Sequence, residues 1–210
     1  MSQSFDIAVI GATGTVGETL VQILEERDFP VGNLHLLASS ESAGHSVPFH
    51  GKNVRVREVD EFDFSKVQLV FFAAGPAVTL SFAPRATAAG CSLIDLSGAL
   101  PADQAPQVVP EANAEILSGL KKPFQVSSPS PSATTLAVVL APLLDVLDLQ
   151  RISLTASLAV SAQGREAVSE LARQTAELLN VRPLEPSFFD RQMAFNLLCL
   201  LYTSPSPRDS

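Results

Sequence analysis

Short apolar runs alternate along the chain with polar or glycine-bearing breaks, and the runs fall into two periodicities. Residues 5–10 (FDIAVI) make a strand-length run and GATGTVG follows at once. Val16, Leu20, Ile23 and Leu24 then recur at helical spacing, which gives the order strand, glycine turn, helix. Residues 34–38 (LHLLA) predict a second strand and residues 67–73 (VQLVFFA) a buried one. Residues 79–89 read as an alanine-rich helix closed by Gly90, and 92–96 (SLIDL) as another short strand. A turn-rich stretch over 101–110 precedes one more strand at 124–127 and a largely apolar helix at 133–147. Strands alternating with helices in this way predict an α/β fold with a parallel, doubly wound sheet.

Near residue 128 the pattern changes. Residues 151–160 read as a longer strand of mixed polarity. Residues 165–179 read as an amphipathic helix with Val168, Leu171, Thr175, Leu178 and Leu179 on its apolar side. The boundary is therefore placed within 128–132, with a first domain over 1–130 and the opening of a second over 131–198. The tail 199–210, CLLYTSPSPRDS, back-translates to a string resembling the transposase adapter of sequencing libraries. It is expected to be non-native read-through, which would make the native sequence a fragment that stops near Leu198.

Composition narrows the class. Of 210 residues 46% are apolar and 17% charged, enough for a real core. Fourteen basic against 22 acidic residues give a net charge of −8, which repels nucleic acid and anionic membrane. No run approaches the roughly 18 apolar residues of a membrane helix. Met1 leads straight into the first strand with no basic segment or cleavage site, so a cytoplasmic location is expected. Two cysteines make no disulfide framework, and Cys91, before an apolar strand, reads as a buried structural thiol. His35, His45 and His50 lack ligand spacing, and no metal site is expected.

Gly11, Gly14 and Gly17 form GxxGxxG between a strand and a helix. Glycine lets the backbone approach a pyrophosphate, and the helix start offers unpaired N–H groups with a partial positive charge. An ordinary strand-to-helix turn has the same composition. On the dinucleotide reading the fold is Rossmann-type, and the cofactor-binding candidates are Gly11, Thr13, Gly14, Thr15, Val16 and Gly17. Ser39 and Glu41 after the second strand, and Gly75 after VFFAA, complete the set. An acidic residue at the end of the second strand accepts from the 2′-hydroxyl of NAD, whereas NADP needs a cation there. Glu41 is either that residue or a solvated loop glutamate. In both cases it favours NAD over NADP.

GATGTVG, LASSESAGH, FFAAG, VVPEAN, PSPSATT, LAVSAQG and MAFN occur in the order and approximate spacing of the aspartate-semialdehyde dehydrogenase family, which the chain resembles over nearly all of 1–198. The resemblance implies a dinucleotide-binding domain followed by an α+β dimerisation and substrate domain, here only begun. It also implies a homodimer in full-length form, and an enzyme that reduces aspartyl phosphate with NADPH through a cysteine thioester. The family's nucleophile lies in Pro-Asn-Cys-Ser/Thr-Thr at a helix start, where the helix end stabilises a thiolate.

Here Pro131-Ser132-Ala133-Thr134-Thr135 puts Ala133 at the cysteine position and Ser132 at the asparagine. Leu158 stands where a glutamine orients the nucleophile. Pro101 replaces a phosphate-binding arginine, Leu96 an asparagine, and Glu41 the cofactor-phosphate arginine. Ser132, Thr134 and Thr135 have no adjacent base and are expected to serve as N-cap residues. The resemblance is therefore strongest to the family's non-catalytic Usg-type paralogues. The expected function is a nucleotide-binding, dimerising pseudoenzyme with no catalytic residue of its own and an unknown small-molecule ligand. The alternative is an active NAD(P)-dependent oxidoreductase on an aldehyde or acyl phosphate in aspartate-family amino-acid biosynthesis.

Overall fold

The computed structural model describes residues 4–185 and 187–198; the expected adapter-derived tail, with Cys199, lies outside them. The chain divides into two compact units, 1–154 and 155–210. In the first, β1 (Phe5–Ile10), β2 (Val31–Ala38), β4 (Lys52–Glu58), β5 (Leu69–Phe72), β6 (Ser92–Asp95) and β7 (Gln125–Ser127) pair in parallel. β3 (Ser46–Phe49) runs antiparallel on the β4 edge, and the spatial order is β3-β4-β2-β1-β5-β6-β7. This is the doubly wound α/β sheet that the alternating pattern predicts.

Both faces of its central strands are buried. Ile7 and Val9 of β1 pack on one side with Val21 and Leu24 of α1 (Thr15–Glu26). Ala8 and Ile10 pack on the other with Ala83 and Ala86 of α2 (Pro76–Ala88). Small residues on that α2 face let the helix lie close to the sheet, and two-sided burial explains why β1 and β5 read as unbroken apolar runs.

The β3–β4 hairpin is absent from the pattern read along the sequence. Its loop, His50-Gly51, has φ of 48° and 72°, the two-residue turn in which both central residues are left-handed. The alternation that marks it is short: Val47 and Phe49 are buried in β3, and Val56 in β4. Short helices α3 (Pro110–Asn113) and α4 (Glu115–Ser118) follow the turn-rich stretch. The helix expected over 133–147 is α5 (Pro131–Leu144), which packs against α3 within the first unit.

Residues 151–160 do not form the expected strand. They make no β pairing among the described residues, and a 3₁₀ turn begins at Val160. An isolated strand leaves its backbone donors and acceptors without partners, so mixed-polarity sequence alone does not hold one. In the second unit α6 (Arg165–Leu179) occupies the expected span, but its inward face differs. Ala167, Glu170 and Gln174 are buried, whereas Val168 and Leu179 are exposed. The reason is a polar clamp. Gln174 Oε1 accepts from the backbone N–H groups of Met193 and Ala194, at 2.7 and 3.2 Å, and its amide donates to Glu170 at 2.9 Å. Glu170 in turn accepts from Ser187 and from Arg173.

Candidate functional site

The sheet order reverses between β1 and β5, and open α/β sheets bind ligands beyond the carboxyl ends of the strands at such a point. The glycine turn lies there. Gly11 has φ of 86°, and a Cβ on it would stand 2.7 Å from the Ala74 backbone nitrogen, so the turn lies directly against residues 73–74 after β5. Gly11 and Ala12 both donate to the Leu37 carbonyl of β2, and Gly14 donates to Gly11. Gly14 is the N-cap of α1 and carries no side-chain cap, so no capping side chain takes up the first-turn N–H groups. Thr13 and Gly14 are half-buried, and Thr15 and Val16 are exposed. Gly17 is buried against Gly11.

Gly75 caps α2 in the same way, again with no side-chain cap, and nothing lies within 4 Å of a Cβ placed there. Two bare helix starts thus stand at the carboxyl ends of adjacent strands, β1 and β5. Ser39 and Glu41 follow β2, on the other side of β1, where Ser40–Ser42 form an exposed 3₁₀ turn. Backbone leaves no room for a Cβ at Gly11 or Gly17, so glycine there permits the tight turn that brings the start of α1 to the end of β1. The uncapped N–H groups at the two helix starts are donors of the kind that suit a pyrophosphate.

Beyond β5 the loop after β6 is fixed by a buried carboxylate that the sequence reading left unused. Asp95 is fully buried and accepts from Ser97 N–H (2.8 Å), Ser97 hydroxyl (2.6 Å) and Leu100 N–H (2.9 Å). Ser97 meets the buried Thr79 hydroxyl of α2 at 2.9 Å. An aspartate ending an apolar strand, two residues before a serine, is the signal that could have found it.

Ala133 is exposed in the first turn of α5, and its N–H donates to Ser130 Oγ at 3.4 Å. Ser130 is therefore the N-cap, and the expectation for Ser132, Thr134 and Thr135 is corrected. The Thr134 and Thr135 hydroxyls instead donate back to the Pro129 and Pro131 carbonyls, which lie on the chain just before them. Pro101 is exposed and its carbonyl accepts from Gln104 and Ala105. Leu96 is half-buried, and Leu158 is exposed in the second unit.

Cys91 is fully buried with its thiol directed to the Phe64 and Val67 carbonyls, and burial pushes its pKa up, which suits structure rather than reactivity. His35 sits within β2, against the Phe62 ring, and burial first, then Arg57, lowers its pKa. Among the described residues no three His, Cys, Asp or Glu side chains are grouped to hold a metal ion. No described helix is long and apolar enough to cross a membrane.

Comparison with known proteins extends over both units. Residues 6–120 match the NAD-binding domain of semialdehyde dehydrogenase, and residues 140–205 match the dimerisation domain of the same family. The chain is 60% identical over 198 residues to a USG-1 protein homologue of Azotobacter vinelandii, covering 94% of this chain and 59% of that protein. It is 42% identical over 199 residues to aspartate-semialdehyde dehydrogenase 2 of Vibrio cholerae, covering 94% and 59%. The crystal structure of Vibrio cholerae aspartate semialdehyde dehydrogenase II complexed with ASA superimposes with a TM-score of 0.87 at 42% identity, over 93% of this chain and 58% of that one. The chain thus spans about 59% of the length of the curated relatives it matches.

Proposed function

This chain belongs to the semialdehyde dehydrogenase family, and we propose that it is a nucleotide-binding, self-pairing member that has lost the family's acyl-transfer chemistry. The observation that carries the proposal is Ala133 in the first turn of α5. A methyl group forms no thioester, and loss of a nucleophile removes several orders of magnitude of rate. Leu158 for the glutamine that orients nucleophile and substrate, and Pro101 for the phosphate-binding arginine, point the same way, because each removes a polar contact to the substrate. Leu96 in place of an asparagine is a further change from a polar to an apolar side chain. The identity to a USG-1 homologue exceeds that to the named dehydrogenase, 60% against 42%, which supports the same assignment.

For the cofactor we favour NAD. Gly11, Thr13, Gly14, Thr15, Val16 and Gly17 would hold the pyrophosphate, with Gly75 on the opposite side, and Ser39 and Glu41 would take the adenosine ribose. A carboxylate at Glu41 repels a 2′-phosphate. A bound nicotinamide would supply hydride chemistry, which Ala133 leaves without a thiol nucleophile at the start of α5. Self-pairing would run through the second domain, and the acidic chain would work in the cytoplasm.

The test is phosphate-dependent oxidation of aspartate semialdehyde by the full-length protein. No turnover is expected, and a rate on the order of 1 per second or more would establish the competing reading, a working dehydrogenase. That reading draws on the intact glycine turn and on the 42% identity to an enzyme of that name.

A further inference from the structure

We propose that Asp95 is a positioning residue for the nicotinamide end of the nucleotide crevice, an inference that rests on the nucleotide-binding reading. Asp95 is a fully buried carboxylate, and it forms no ion pair among the described residues. Desolvating such a charge is costly unless hydrogen bonds compensate. All the compensation comes from one loop: Ser97 N–H and hydroxyl on Oδ1, Leu100 N–H on Oδ2. The Ser97 hydroxyl proton goes to Asp95, so Thr79 donates to Ser97 Oγ, which also accepts from Ala99 N–H at 3.3 Å. Ser128 N–H closes on the Asp95 carbonyl at 2.8 Å. One side chain therefore ties the 96–100 loop to its own strand and, through Thr79, to the first turns of α2.

The position of this tie decides what it affects. The glycine turn and Glu41 stand at β1 and β2, the half of a doubly wound sheet that takes the adenosine and pyrophosphate. The Asp95 loop stands beyond β5 at the end of β6, on the far side of the switch point, so a dinucleotide spanning the crevice lays its second nucleoside there. Gly98, at the loop's tip, is exposed with φ of 69°. A loop of this kind has no regular hydrogen bonding of its own, and its shape is set by the carboxylate beneath it.

Asp95→Asn tests this, because an amide cannot accept from both ends of the loop at once. Calorimetry with NAD and with AMP, alongside thermal denaturation, separates positioning from general damage. Loss of one charge-assisted hydrogen bond predicts about a tenfold fall in NAD affinity, while AMP binding stays within about twofold. Thr79→Val, which keeps the side-chain shape and breaks only the link to α2, should show the same split at smaller size and decides the matter if the first variant does not fold. NAD and AMP affinities that fall together, or an NAD affinity that does not fall, would overturn the role of Asp95. A wild-type protein that binds neither would overturn the nucleotide reading itself, and this inference with it.

Discussion

The carbonyl oxygen of Gly11 lies 2.1 Å from the point where a Cβ on Gly17 would stand. The two glycines hold the end of β1 against the first turn of α1, and that contact sets the curvature of the turn. Gly17→Ala is therefore expected to destabilise the fold by about 3 kcal/mol, since backbone gives way poorly to overpacking. Thermal denaturation should show the melting temperature lowered by roughly 10 °C. Gly75→Ala is the control: its φ of −69° suits any residue and nothing lies near the new methyl. A Gly17→Ala protein as stable as the Gly75→Ala protein would contradict the packing described.

Most of the sheet was legible because its central strands are buried on both faces, and apolar runs such as LVFF in β5 report that directly. The β3–β4 hairpin was not, since KNVRVRE carries three cations and its apolar positions are few. The inward face of α6 was misread for a related reason. Periodicity counts apolar residues, whereas Glu170 and Gln174 are buried through partners 17 to 20 positions along the chain. The glycine turn was legible as a turn, but its contact with Ala74 depends on strand order. Asp95 was passed over because a single acid inside a short apolar run adds nothing to the periodicity that marks the strand.

Cofactor preference should follow the residue after β2. Glu41→Arg replaces a carboxylate with a cation at an exposed position that packs against nothing in the core. The expected result is an NADP-to-NAD affinity ratio raised at least about tenfold, equivalent to about 1.4 kcal/mol, by calorimetry. An unchanged ratio would remove Glu41 from the ribose site.

Restoring the thiol alone should not restore turnover. Ala133→Cys places a nucleophile at the start of α5, where Ser130 already caps the helix. Leu158 and Pro101 would still offer no hydrogen bonds to substrate, so phosphate-dependent reduction of either nucleotide should remain at background. Thiol labelling should nevertheless proceed, because the position is exposed. Turnover from this single change would show that the remaining departures are tolerated.

The polar clamp of the second unit makes an acid-sensitivity prediction. Hydrogen bonds from Arg173 first, then Gln174 and Ser187, hold the Glu170 carboxyl at about 2, below its ordinary 4.5. The folded state therefore prefers the ionised group, and its contribution is complete above the unfolded value and is lost as pH falls through the folded one. Glu170→Gln should lower the melting temperature at pH 7, because an amide cannot accept from Arg173, Gln174 and Ser187 together. The gap between the two proteins should narrow as pH falls from about 5 to about 2, as the wild-type carboxylate takes up its proton. Thermal denaturation of both across that range checks it. A gap that stays constant with pH would mean that the charge of Glu170 is not what holds residues 187–194 onto α6.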